Sequence, residues 1–116
     1  MKKILLLLSI LTFLNCEAIF EDNISNLTVE VLSPVDHAVI EDNDVVFAWQ
    51  TVNGADAYRL QIAKPNFLNA TKIVLDTLLQ QSLIEVYLEP SDYQWKIVGE
   101  NSEYQTEERL SSFTIN

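Results

Sequence analysis

The sequence predicts an all-β domain, a two-sheet sandwich of about seven antiparallel strands, and two observations carry that expectation. From Thr28 onward, short runs of Val, Ile, Thr, Phe, Tyr and Trp recur between Asp, Asn, Ser, Pro and Gly punctuation. Within the runs, apolar and polar residues alternate with the period of two that sends successive side chains to opposite faces of a strand.

The runs fall at 28–32, 38–40, 45–49, 58–63, 72–75, 82–88 and 93–98, with a closing strand at 112–115. The first two read as one bent edge strand interrupted at Ser33-Pro34, since proline has no N–H for a central ladder. Val45, Phe47 and Trp49 point one way and Val46 and Ala48 the other. Tyr58, Leu60 and Ile62 oppose Arg59 and Gln61, and Tyr93, Trp95 and Ile97 oppose Gln94 and Lys96. One face is therefore core and the other solvated. Between 75 and 88, Leu75, Leu78, Leu79, Ser82, Leu83 and Val86 also fit a helical stripe. The β-branched Ile73, Val74, Ile84 and Val86 and the Glu89-Pro90 break favour strands, with a short helix at 77–81 as the alternative. Trp49, Tyr58, Tyr93, Trp95, Phe47 and Phe113 are expected in the core, because each large ring removes about 150–250 Å² from water.

Ahead of the domain, Met1-Lys2-Lys3 and the uncharged run 4–14 form the basic and apolar parts of an export signal. The run is too short to cross a hydrocarbon core, which takes about 20 apolar residues, so residues 1–15 read as a removable segment. Cys16 is the only cysteine, which excludes an intramolecular disulfide. Phe13-Leu14-Asn15-Cys16 resembles the lipobox of bacterial lipoproteins, with Asn15 where a small residue is usual. That resemblance implies acylation of Cys16, a membrane partner reached through the lipid, and a place in the cell envelope, at the outer membrane. Residues 16–27, acidic and polar, read as the lipidated N-terminus and a tether, and residues 28–116 as one domain.

Acidic residues number 17 against 7 basic ones, a net charge of −10. Removing residues 1–15 takes Lys2 and Lys3 and no acid, so −10 becomes −12. Such a surface repels phosphate backbones, and nucleic acid is excluded as a partner.

Val45-x-Phe47-x-Trp49, the run from Ala55 to Ala63, Leu88-x-Pro90-x-x-Tyr93-x-Trp95 and Phe113-Thr114-Ile115 together resemble a fibronectin type III domain of the bacterial kind, an immunoglobulin-like sandwich, and with the lipobox the whole resembles a Bacteroidota-like lipoprotein. The resemblance spans about residues 32–115. It implies that Trp49 is the buried tryptophan of the second strand. Tyr93 would be the corner tyrosine, its hydroxyl bonding to upstream backbone.

No catalytic constellation is visible: the single histidine, His37, sits in a turn after Pro34, and Gly54 and Gly99 are too few for a phosphate loop. Glu41, Asp42 and Asp44 lack the glycine turn and terminal bidentate Glu of a calcium loop and read as a polar turn, so neither metal nor cofactor is expected. Asn26-Leu27-Thr28 and Asn69-Ala70-Thr71 match the N-glycosylation pattern and read as ordinary loops. Asp76-Thr77-Leu78 resembles an O-glycosylation acceptor of Bacteroidota. Phe67-Leu68, after Pro65, is expected to fold back over the edge of the core.

The expected function is a non-catalytic binding or structural module with a protein or glycan partner in the envelope, accessory to a larger complex; the alternative is a small carbohydrate-binding lipoprotein. Ligand contact is expected in the loops 50–57 and 99–110, with Tyr104, Asn101 and Asn53 as the candidates. Tyr104 would be the aromatic anchor unless its ring lies flat on its own hairpin. An exposed Tyr104 or Trp95 would favour the carbohydrate alternative.

Overall fold

The computed structural model describes residues 20–116, so the export signal and the acylation of Cys16 lie outside the described residues. Eight strands follow the alternating runs: β1 Val31–Ser33, β2 Ala38–Ile40, β3 Asp44–Trp49, β4 Ala57–Lys64, β5 Lys72–Leu79, β6 Leu83–Tyr87, β7 Ser91–Glu100 and β8 Arg109–Ile115. They form an immunoglobulin-like sandwich of two sheets, β1-β3-β6 and β2-β8-β7-β4-β5.

Where the helical stripe competed with alternation, alternation prevails: β5 continues to Leu79 and residues 80–82 turn directly into β6. The reason is tertiary. Thr77 pairs with Leu60 and Leu79 with Tyr58 in the β4 ladder, which gives the segment a buried face at period two. Val74 stands unpaired between Leu75↔Ile62 and Ile73↔Ala63, a bulge that bends this edge strand.

The bent first strand divides between sheets. β1 pairs with β3, and after Ser33-Pro34 the chain crosses to pair β2 with β8. This corrects the expectation of antiparallel pairing throughout: β2 and β8 are parallel, Ala38↔Phe113 through Ile40↔Ile115. β1 runs away from the loop between β3 and β4, β2 continues the same way, and β8 already runs that way. His37 takes φ 65° at this crossing and donates its N–H to the Ser112 carbonyl at 2.7 Å.

All six expected aromatics lie between the sheets, none more than 3% exposed. Phe47 meets Trp95 and Phe113 edge-on, at centroid distances of 5.0 and 5.8 Å, and Tyr93 stacks on Phe113 at 5.3 Å. Trp49 tilts onto Tyr58 at 5.7 Å. The indole N–H groups of Trp49 and Trp95 are buried without partners, each at a cost of about 1–3 kcal/mol that ring burial offsets.

The strand directions give the sandwich two ends. The near end carries the loops 50–56, 80–82 and 101–108; the far end carries 41–43, 65–71 and 88–90.

Candidate functional site

At the near end the chain folds over itself. The stretch read as a tether packs against the loops from Glu21 onward, with Ile24 only 1% exposed. Gly54, at φ 96°, lies so close that an added Cβ would come within 2.9 Å of the Asp22 Cβ and 3.0 Å of the Ile24 Cγ2. Leu27 accepts the Glu107 N–H at 2.9 Å, and the Ser102 hydroxyl donates to the Glu21 carboxylate at 2.7 Å. A free tether would leave these groups in water; the buried isoleucine and the paired backbone make residues 21–27 part of the domain.

Asn101 is the hub of this end. Its amide nitrogen donates to the carbonyls of Asp22 at 2.8 Å and Gly54 at 3.0 Å. Its side-chain oxygen accepts the N–H groups of Glu103 at 3.0 Å and Tyr104 at 2.8 Å. Two donors and two acceptor sites are all that an amide has. Asn101 therefore ties the N-terminal segment and two loops together, with both amide donors and both acceptor sites used within the chain. Tyr104 is half-buried in the turn that Asn101 closes, and Asn53 is exposed. The loop is also shorter than expected, because β7 runs to Glu100 and the Thr106 hydroxyl caps the Gly99 N–H at 2.9 Å. Below it, the Tyr58 hydroxyl accepts the Val52 N–H at 2.7 Å and pins the neighbouring loop.

The far end is shaped by Tyr93, whose hydroxyl donates to the Glu89 carbonyl at 2.6 Å. This is the tyrosine corner the sequence implied, formed with Ser91 where a glycine is usual. Burial, and then the charge of Glu89, push the Tyr93 hydroxyl above its ordinary pKa of 10.0.

Two hollows open at this end. A shallow groove of about 490 Å³ crosses the outer face of the larger sheet between His37, the loop at Pro65 and Leu68, and the outward residues Gln94, Ser112 and Thr114. Its polar groups serve the fold. Thr114 donates to Asp92 at 2.8 Å, Asp36 accepts the Ser112 N–H at 2.9 Å, and Gln94 accepts the Phe67 N–H at 3.0 Å. His37 is largely exposed and lies 3.4 Å from its neighbour Asp36. Phe67 folds back onto the outer face of the larger sheet, under the Lys96 ammonium at 4.6 Å, rather than over the edge of the core, and Leu68 projects at 91% exposure. Only the first of the pair has a ring to lay against the sheet.

The second hollow, a cleft of about 230 Å³, lies between β5 and β6, the edge strands of the two sheets. Lys64, Lys72, Tyr87 and Glu89 line it over a floor of Val74, Leu88 and Tyr93. Tyr87 is 67% exposed, whereas Trp95 is 0% exposed and cannot be a platform. Sequence reasoning passed over Tyr87, although parity exposes it: Ile84 and Val86 pack on the core, which turns Leu83, Glu85 and Tyr87 outward.

Other singled-out residues have structural uses. Asp42 accepts the Asp44 N–H at 3.0 Å at the start of β3, and among the described residues no group of three or more His, Cys, Asp and Glu is placed for a metal ion. Thr77 is partly buried in mid-strand and shares a face with Leu60, which is 0% exposed, so Asp76-Thr77-Leu78 is not an open acceptor in the folded domain. Asp76 itself is held by Arg59 at 3.3 Å and Gln61 at 3.2 Å.

The sheet order, the strand that changes sheets and the tyrosine corner define a sandwich of the fibronectin type III type. No protein-family profile matches the sequence, and a comparison with curated protein sequences found no match. Among solved structures the chain is similar to the fibronectin(III)-like modules of Clostridium thermocellum CbhA, with a TM-score of 0.56 and 5% identity over 77% of this chain and 96% of that one. It is similar to FN3tt, with a TM-score of 0.54 and 14% identity over 78% and 98%. The fibronectin type III domain derived from human KIAA0970 gives a TM-score of 0.53 and 18% identity over 83% and 77%. Likeness at these identities concerns the fold.

Proposed function

We propose that the chain is a lipid-anchored protein of the bacterial cell envelope, held on the outer membrane through Cys16, with its single sandwich acting as a non-catalytic binding or structural module accessory to a larger complex. The observation that carries this is the position of Cys16. It stands one residue beyond the apolar run 4–14 and precedes by a few residues the segment that docks at the near end. From Cys16 to Glu21 the chain reaches at most about 18 Å, at roughly 3.3–3.6 Å per residue. An acylated Cys16 thus holds the near end close to the lipid and turns the far end outward. Several acyl chains suffice for stable anchoring, where one is marginal.

Mass spectrometry of the membrane fraction tests this. The N-terminal residue is expected to be an acylated Cys16, and Cys16→Ser is expected to move the protein to the soluble fraction. A wild-type protein that is soluble and cleaved elsewhere contradicts the anchor. The carbohydrate-binding reading has its own support in the exposed Tyr87 beside two lysines at the outward end.

A further inference from the structure

We propose that the cleft between β5 and β6 binds an acidic sugar, a hexuronate residue or a short run of them. The proposal deepens the carbohydrate reading and does not depend on the lipid anchor.

The charges around the cleft favour an anion. Lys64 and Lys72 are directly opposed across the β4–β5 ladder. Opposed residues have Cβ atoms about 4.5–5.5 Å apart, and like charges there repel. The chain has carboxylates in excess, 17 against 7 basic residues, and it uses them elsewhere. Arg59 lies 3.3 Å from Asp76 and 3.9 Å from Glu100, and Lys96 lies 3.8 Å from Glu108. Among the described residues, neither Lys64 nor Lys72 has a carboxylate at ion-pair distance. Two opposed lysines that line one cleft, with no carboxylate at ion-pair distance, form a site for a single anionic group.

The other walls decide which anion. Tyr87 lines the cleft and is 67% exposed, a side chain whose ring has an apolar face and a polar tip. A pyranose has a face of C–H groups that such a ring can cover. Glu89 lines the cleft as well, and its carboxylate repels a second negative charge but accepts hydrogen bonds from hydroxyl groups. The fitting ligand therefore presents one carboxylate to Lys64 and Lys72, a C–H face to Tyr87 and neutral hydroxyls to Glu89. A hexuronate has these three features on one rigid ring; a polyphosphate has neither the apolar face nor the neutral donors. The volume of about 230 Å³ holds roughly eight waters at about 30 Å³ each, which suits one sugar ring better than a larger cofactor.

The test is calorimetric titration of the purified full chain, in detergent if its N-terminus is acylated, with three probes: tetragalacturonate, its neutral galactose counterpart and a tetraglutamate peptide. Tetragalacturonate is expected to bind roughly tenfold or more tightly than either of the others. The double variant Lys64→Gln/Lys72→Gln and the single variant Tyr87→Ala are each expected to weaken it about tenfold while leaving the melting temperature within a few degrees. Equal binding of the neutral sugar would keep a glycan site and overturn its acidic specificity. Preference for the peptide would replace the sugar with an acidic protein segment. Absence of binding to all three, or binding that neither variant alters, would overturn both the proposal and the carbohydrate reading at this cleft.

Discussion

The hub of the near end and the cleft between β5 and β6 at the far end use their polar groups in opposite ways. At the near end, Asn101 makes four hydrogen bonds within the chain, Ile24 fills the space over Gly54, and the loops 50–56 and 101–108 are joined to the segment that precedes β1. At the far end, Lys64 and Lys72 stand opposite each other with no carboxylate among the described residues at ion-pair distance, and Tyr87 and Leu68 stand in solvent. A closed end lowers the free energy of the fold and is expected to tolerate little change. An open end leaves interaction energy unused in the isolated chain, and that is where a ligand can gain it. Loops alone therefore do not locate a site; the hydrogen-bond balance of each end does.

The largest expected effect lies beneath the closed end. Trp49→Ala removes a fully buried ring that packs on Tyr58, whose hydroxyl pins Val52, and should cost about 3–5 kcal/mol in urea unfolding. That is a large fraction of the roughly 5–15 kcal/mol that holds a domain together. Ile24→Ala comes next, at about 2–5 kcal/mol. If residues 21–27 were a tether, the same substitution would change stability by less than about 0.5 kcal/mol, so this variant breaks the comparison most cleanly.

A smaller effect is expected at the far end. Tyr93→Phe should cost about 1 kcal/mol at neutral pH, through loss of the bond to the Glu89 carbonyl. The folded state raises the Tyr93 pKa, so it favours the neutral phenol. That contribution is fully present below the unfolded value of about 10 and is lost as pH rises through the higher folded value. Unfolding followed between pH 8 and 11 should therefore show a steeper decline for the wild type than for Tyr93→Phe. Parallel curves would place the buried hydroxyl elsewhere.

The sequence made the core legible because Phe47, Trp49, Tyr93 and Trp95 stand at period-two positions, and Leu88-x-Pro90-x-x-Tyr93 marks a corner with a defined hydrogen bond. The near end was not legible. Ile24 is one of several scattered apolar residues in an acidic and polar stretch, and its burial comes from contact with a glycine turn 30 positions away. Asn101 reaches carbonyls 79 and 47 positions distant, and no local pattern signals such bonds. Loop position and amide chemistry alone suggested that Asn101 was available. The pairing of Lys64 with Lys72 was hidden for a related reason: the bulge at Val74 shifts the register, and only the assembled ladder shows which residues stand opposite. Tyr87 could have been found by parity, but the competing helical stripe through residues 75–86 obscured which face it occupied.

The contrast between a closed near end and an open far end is tested most directly by following backbone amide shifts while tetragalacturonate is titrated into the isotope-labelled chain. The account predicts that the shifts concentrate at Lys64, Lys72, Val74, Tyr87, Leu88 and Glu89, with the amides of Asp22, Gly54, Asn101 and Tyr104 unmoved. Shifts centred on Asn53, Asn101 and Tyr104, with the lysine pair silent, would contradict it and return the binding surface to the near-end loops.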